Sequence, residues 1–201
     1  MIIYHGTTYH ALKSILQNGL KPRGRSRSMW NEDSKSRPDM VYLTTGYAIY
    51  YAAHASWEFP KLGNPVVLKI ETTGLDQDRM MPDEDYLIEG FARGFGCPSN
   101  RIAMKINMRQ YTRDHIEEYQ HAWAASLKAL GTCAYKGVIP RSHIQCVAII
   151  DKSREDMKRF LLGFDPSISV LNHMILGEEQ LAKTQWLFGD ARMPQAVQAN
   201  T

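Results

Sequence analysis

Apolar positions recur along the chain at two spacings. Ala11, Leu12, Ile15 and Leu16 repeat at helical intervals and Asn18-Gly19 supplies a stop, so the pattern predicts a helix over residues 9–18. Residues 1–5 form a short apolar and aromatic stretch that reads as a first strand, and Met40-Val41-Tyr42-Leu43 reads as a second. Thr44-Thr45-Gly46 then breaks the strand and caps a helix over about residues 47–56, which sets Tyr47, Tyr50, Tyr51 and His54 on one face. Residues 65–71, rich in Val and Ile, give the clearest strand; residues 133–138 and 145–150 give two more around Pro140. A helix over residues 116–130 ends at Gly131, residues 153–162 and 177–188 have helical periodicity, and residues 193–201 read as a frayed tail. Residues 21–39 form a long loop, with Met29 and Trp30 as its large apolar groups.

Few short strands joined by long loops fit an α+β fold better than a doubly wound sheet. The βαβ alternation stops after the first third, and neither GxGxxG nor GxxxxGK[ST] occurs, so no glycine loop of those types cradles phosphate. At 201 residues the chain suits one domain, with 1–150 as its core and 151–201 as a helical C-terminal extension packed on it. A 44% apolar and 22% charged composition is that of a globular chain rather than a disordered one. No run approaches the ~18 apolar residues of a membrane span, so no membrane contact is expected. The N-terminus lacks a basic stretch, an apolar core and a cleavage site, so a cytoplasmic location is expected. Cys97, Cys133 and Cys146 show no CxxC spacing, which argues for reduced thiols. The seven histidines show no metal-ligand spacing either, and no metal is expected.

Charge changes the picture through its distribution. A net charge of +3 and a pI near 8.7 are too mild to mark a generic nucleic-acid binder. Yet Lys21, Arg23, Arg25, Arg27, Lys35 and Arg37 crowd one loop, which either is simply solvated or binds pyrophosphate or nucleic acid. Glu71, Asp76, Asp78, Asp83, Glu84, Asp85 and Glu89 face Arg79 alone in residues 71–89. Acidic runs of this kind commonly form a solvated turn or helix start; a catalytic role for Glu84 is the competing reading.

The candidate chemistry starts at Tyr4-His5-Gly6-Thr7. A His at a strand end offers a ring N–H to a sugar hydroxyl, and the Gly beside it leaves the backbone open to a flat ligand. In order along the chain come this segment, a helix ending Asn18-Gly19-Leu20, an Arg-rich loop, Val41-Tyr42-Leu43-Thr44, and Ala48-Ile49-Tyr50-Tyr51. That order resembles the N-terminal half of the NAD-dependent ADP-ribosyltransferase superfamily, in its diphtheria-toxin and poly(ADP-ribose) polymerase-like branch. Val66-Val67-Leu68-Lys69-Ile70-Glu71 with Gly74-Leu75, and Tyr135-Lys136-Gly137-Val138-Ile139-Pro140 with His143-Ile144-Gln145, are similar to its later strands at lower specificity. The resemblance covers roughly residues 1–75 and 132–150.

The resemblance implies a split β-sheet core with flanking helices, and transfer of ADP-ribose from NAD to a protein or nucleic-acid acceptor with release of nicotinamide. It implies that His5 binds ribose hydroxyls, supported by Thr7, and that the Gly6 backbone holds the carboxamide. Tyr42 and Tyr51 would sandwich nicotinamide, and Arg25, no better placed than its neighbours, would reach the pyrophosphate. Trp30 either stacks on adenine or anchors its loop. Small solitary transferases of this kind often act as toxins or in conflicts between phage and host, which also implies an antitoxin or inhibitor as partner. One position departs from the pattern. Aligning Tyr135 with the Tyr after the fifth-strand Glu of many such enzymes puts Ala134 at the Glu position, and no acid occurs from Leu127 to Ile150. Three routes stay open: an acid from the loop Pro82-Asp83-Glu84-Asp85, reaction assisted by the acceptor, or the related chemistry of RNA 2′-phosphotransferases, which carry His where this chain has Tyr42. A degenerate fold that binds NAD or ADP-ribose without catalysis is the rival outside enzymes. Cys133, beside Ala134, is a candidate nucleophile or a buried structural thiol.

Overall fold

The computed structural model of the protein describes residues 1–24, 37–92, 101–151 and 177–188. Arg25, Trp30, Cys97, the helix predicted over 153–162 and the tail lie outside the described residues. The fold is α+β. Its strands are β1 (Ile2–Thr8), β2 (Met40–Thr44), β3 (Pro65–Glu71), β4 (Met80–Pro82), β5 (Thr132–Lys136), β6 (Ile144–Ile149) and β7 (Leu187–Phe188). They form one antiparallel sheet in the order β4-β5-β2-β1-β3-β6-β7. The helices are α1 (Tyr9–Asn18), α2 (Ala48–Glu58), α3 (Glu84–Ala92), α4 (Arg101–His115) and α5 (Trp123–Leu130). None among the described residues is long and apolar enough to cross a membrane.

β1 and β3 pair along their whole length, from Ile2↔Glu71 to Thr8↔Pro65. β2 and β5 pair from Met40↔Lys136 to Thr44↔Thr132. Between these two blocks β1 and β2 meet at one position, Tyr4↔Thr44. The sheet is therefore held by two well-paired halves, and from His5 onward the β1 edge toward β2 has no strand neighbour among the described residues.

Hydrophobic burial explains both faces. Leu12 and Ile15 of α1 pack with Ile3, Val41, Leu43, Val66, Leu68 and Ile70 on one side. On the other, Ala48, Ile49 and Ala52 of α2 pack on Val67 and Ala148, joined by Leu181. Glycines stop two helices: the Gly19 N–H (φ 78°) bonds the Ile15 carbonyl at 2.9 Å, and the Gly131 N–H (φ 71°) bonds the Leu127 carbonyl at 3.0 Å. The Thr44 hydroxyl accepts from the Gly46 and Tyr47 N–H groups at 3.2 and 3.0 Å, which turns the chain from β2 into α2.

Four expectations change. β1 runs through Gly6 to Thr8, so His5 lies inside a strand rather than at its end. Residues 116–130 divide into a 3-10 segment over Ile116–Ala122, interrupted at Tyr119, and then α5. The acidic run Asp83-Glu84-Asp85 is the helix start among the readings offered, since α3 begins at Glu84, but the segment before it forms the unexpected strand β4. Periodicity missed β4, since a three-residue strand is too short to show one. Residues 177–188 are helical only over 177–182, and Leu187–Phe188 join the sheet beside β6.

Gly6 sets the distance between α2 and the sheet. A Cβ there would lie 2.2 Å from the Ala48 carbonyl oxygen and 2.8 Å from the Ala52 nitrogen, both backbone atoms that cannot rotate away. Gly6→Ala is expected to lower unfolding free energy by about 3 kcal/mol, read by urea denaturation at pH 7. A loss below about 0.5 kcal/mol would contradict this packing account.

Candidate functional site

The site forms where β1 and β2 part. His5 Nδ1 lies 2.8 Å from the Tyr42 carbonyl oxygen. A carbonyl only accepts, so Nδ1 carries the proton and donates across the gap. Burial pushes the ring pKa below its usual value, against the upward pull of that hydrogen bond. His5 is thus neutral near pH 7, and Nε2 presents a lone pair. This corrects the role expected for it: the ring N–H is already engaged, and what it offers a ligand hydroxyl is an acceptor.

The Tyr42 ring leaves β2 on the face shared with Ala134 and Met81, its register partners across β5 and β4. Ala134 is fully buried and presents only a methyl group to that face. The Tyr42 hydroxyl donates to Glu84 Oε1 at 2.5 Å and accepts from the Arg37 backbone N–H at 2.9 Å. Glu84 is only 8% exposed. Burial raises its carboxyl pKa, while hydrogen bonds from Tyr42, its own backbone N–H and that of Arg37 pull it down. Burial, and next the Glu84 charge, hold the Tyr42 hydroxyl well above its usual pKa, so it stays protonated. The loop acid weighed from sequence is thus brought to the Tyr42 hydroxyl.

Asp83, the residue before it, went unassigned. It is the N-cap of α3: Oδ1 accepts from the Asp85 N–H at 2.9 Å. Its own N–H donates at 2.9 Å to Ser126 Oγ, which donates in turn to the Thr132 carbonyl at 2.9 Å. The Thr132 hydroxyl also bonds the Asp83 carboxyl. Burial, then Glu84 and Asp85, push the Asp83 carboxyl up to about 7. Its sequence signal was an Asp directly before the acidic first turn Glu84-Asp85, which is a helix-start pattern and says nothing of burial. Ser126 carries no such signal; only the fold brings it under β4.

Tyr51 stands on α2, edge-on to Tyr50 at 5.6 Å between ring centroids and 6.0 Å from Tyr47. Burial and, after it, the charge of Asp83 raise its hydroxyl pKa. Gly6 fits the site differently from expectation, since the space its missing side chain leaves is filled by α2. Thr7, one residue on, stands on the uncovered stretch of β1, and the support found for His5 is the Tyr42 carbonyl. Arg37 is no free phosphate ligand: it forks onto both Asp39 oxygens at 2.9 and 2.6 Å and donates to the Arg113 carbonyl at 2.7 Å. Cys133 is fully buried and its thiol is pushed up to about 12, chiefly by burial and then by Asp83, which rules out a thiolate nucleophile at neutral pH.

The arrangement offers an acceptor nitrogen, an aromatic wall, an unpaired strand edge and two adjacent carboxyls in unlike surroundings. No protein-family model matches the chain, and no curated protein matches it.

The Asp83 shift has a definite sign in stability. The folded state keeps a proton that the unfolded chain sheds above its ordinary 3.8, so stability falls as pH climbs from about 4 to about 7. Asn keeps the cap but cannot ionise. From pH 4 to pH 8, Asp83→Asn should gain about 2 kcal/mol on the wild type, reduced from the full shift for partial exposure. Urea titrations at the two pH values check this, and a constant difference contradicts it.

Proposed function

We propose that the protein transfers ADP-ribose from NAD to a macromolecular acceptor, protein or nucleic acid, releasing nicotinamide. The observation that carries this reading is that Tyr42, where the sheet divides, holds His5 by its carbonyl and Glu84 by its hydroxyl. Opening the bond between nicotinamide and ribose builds positive charge on the sugar, so the site must grip both ends of NAD and stabilise that cation between them.

The residues suit these tasks. Nε2 of His5 accepts from a ribose hydroxyl. The β1 edge at Gly6 and Thr7, unpaired toward β2, supplies backbone N–H and C=O groups to the carboxamide, as a neighbouring strand would. Tyr51 stacks on the nicotinamide ring, adding ~0.5 to 1.5 kcal/mol beyond burial. Glu84 puts a hydrogen-bonded negative charge beside the sugar in a site that excludes water, where fixed charge acts most strongly. The single β1–β2 pair favours the split-sheet form of the transferase fold, and Glu84 answers for the Ala134 position. An acid at that place favours catalysis over binding alone.

The test is NAD labelled in its adenylate, incubated with cell lysate fractionated into protein and nucleic acid, and separately with a 2′-phosphorylated RNA. Label should move to one lysate fraction as free nicotinamide accumulates. Glu84→Gln should slow that release on the order of 100-fold while NAD still binds. His5→Ala should weaken NAD binding about tenfold. Transfer confined to the 2′-phosphorylated RNA would mark a 2′-phosphotransferase instead, and NAD bound but unchanged would leave a binding module.

A further inference from the structure

Tyr42 and Glu84 share a third partner. The Arg37 backbone N–H donates to the Tyr42 hydroxyl at 2.9 Å and also bonds the Glu84 carboxyl. Arg37 lies outside every helix and strand, so no ladder of backbone bonds aims that N–H. What aims it is the residue's own side chain, 17% exposed and engaged at every nitrogen. Nε and Nη2 fork onto the two Asp39 oxygens at 2.9 and 2.6 Å, Nη1 donates to the Arg113 carbonyl near the end of α4 at 2.7 Å, and Nη2 lies 3.5 Å from Glu117 Oε1. The anchors are tied down in turn. The Asp39 carbonyl accepts from the Gly137 N–H just past β5 at 2.9 Å, and Lys136 Nζ holds Glu117 Oε1 at 2.6 Å.

Resting on the transferase reading, we propose that Arg37 is a positioning residue for the transfer: its guanidinium clamp fixes the backbone N–H that holds the Tyr42 hydroxyl and the Glu84 carboxylate in one arrangement. The role belongs to the fork and not to the positive charge, which Asp39 matches at contact distance. The planar guanidinium spans two carboxylate oxygens while its third nitrogen reaches a carbonyl on another element, and a lysine ammonium is a point donor that cannot do both. Pro38 follows at once and restricts Arg37 to extended backbone, which helps keep its peptide in one orientation.

Glu84 has need of such a hold. A carboxylate this buried acts as a fixed charge only while donors that do not move bind its oxygens. The Tyr42 hydroxyl is one such donor, but its proton rotates freely about the C–O bond unless something occupies the oxygen's lone pair. The Arg37 N–H occupies it, which leaves the proton directed at Glu84. Releasing the clamp frees the Arg37 peptide to turn, so both the hydroxyl and the carboxylate lose a donor together and the charge is no longer held to one place.

The experiment measures kcat and KM of nicotinamide release with varied NAD, at a fixed amount of the lysate fraction that accepts label. The proteins are wild type, Arg37→Ala, Arg37→Lys, Asp39→Asn, Glu84→Gln and the double variant Arg37→Lys/Glu84→Gln. Arg37→Ala and Arg37→Lys should each lower kcat about tenfold and leave the KM for NAD within about twofold of wild type. Asp39→Asn, which weakens one side of the fork, should fall between them and the wild type. In the Glu84→Gln background Arg37→Lys should cost less than about twofold more, because the group it positions is already gone, whereas a merely structural loss would multiply. If the Arg37 variants do not fold, the same cycle is run with Asp39→Asn. A fully active Arg37→Lys, a raised KM at unchanged kcat, or losses that multiply in the double variant overturns the assignment while the transferase reading stands. A wild type that releases no nicotinamide overturns both.

Discussion

Backbone lies directly on backbone where α2 crosses β1. The Ala48 carbonyl and the Ala52 nitrogen occupy the space a side chain at Gly6 would need, and Ala48 and Ala52 are themselves too small to hold the layers apart. Every feature of the site inherits that short distance. It sets how closely α2, which carries Tyr51, lies on the sheet. It also commits the residue beside His5 to a packing task. A second close approach extends the constraint, since a Cβ at Gly177 would meet the Gly46 carbonyl oxygen at 1.9 Å. The turn leading into α2 is thus pinned from the C-terminal side as well.

The sheet has two well-bonded halves and one weak seam. Seven register pairs join β1 to β3, whereas a single pair joins β1 to β2. Divergence there leaves backbone polar groups without strand partners, which in a buried setting is costly unless something else binds them. His5 partly closes the seam by reaching from β1 to the Tyr42 carbonyl on β2. A side chain thereby replaces a ladder hydrogen bond, and the same ring keeps its other nitrogen as an acceptor.

Much of the frame was legible in the sequence because it rests on local rules. The helix from Tyr9 to Gly19, the strand from Pro65 to Glu71 and the stop at Gly131 follow from periodicity and from glycine's freedom at positive φ. The site was legible in its types and hidden in its couplings. His5, Tyr42 and Glu84 stood out as residues, but the tautomer of His5 depends on a carbonyl 37 positions away, and Tyr42 and Glu84 are 42 positions apart. Asp83 gave only a helix-start pattern and Ser126 gave none, because what joins them is a chain of hydrogen bonds between segments 43 positions apart. The strand at Leu187–Phe188 was hidden for a like reason: two residues cannot establish a period, and only the free edge of β6 makes them a strand.

Ala134 can now be read as more than a missing acid. It lies in register with Tyr42 on β2 and Met81 on β4, fully buried in the apolar and aromatic cluster that both of those side chains join. A carboxylate at position 134 would sit among those side chains with little water to carry its charge. The acid that bonds the Tyr42 hydroxyl comes instead from the head of α3, where a helix N-terminus suits a negative group. The sheet thus keeps an apolar residue where a charge would be costly and takes its acid from an element better able to hold one.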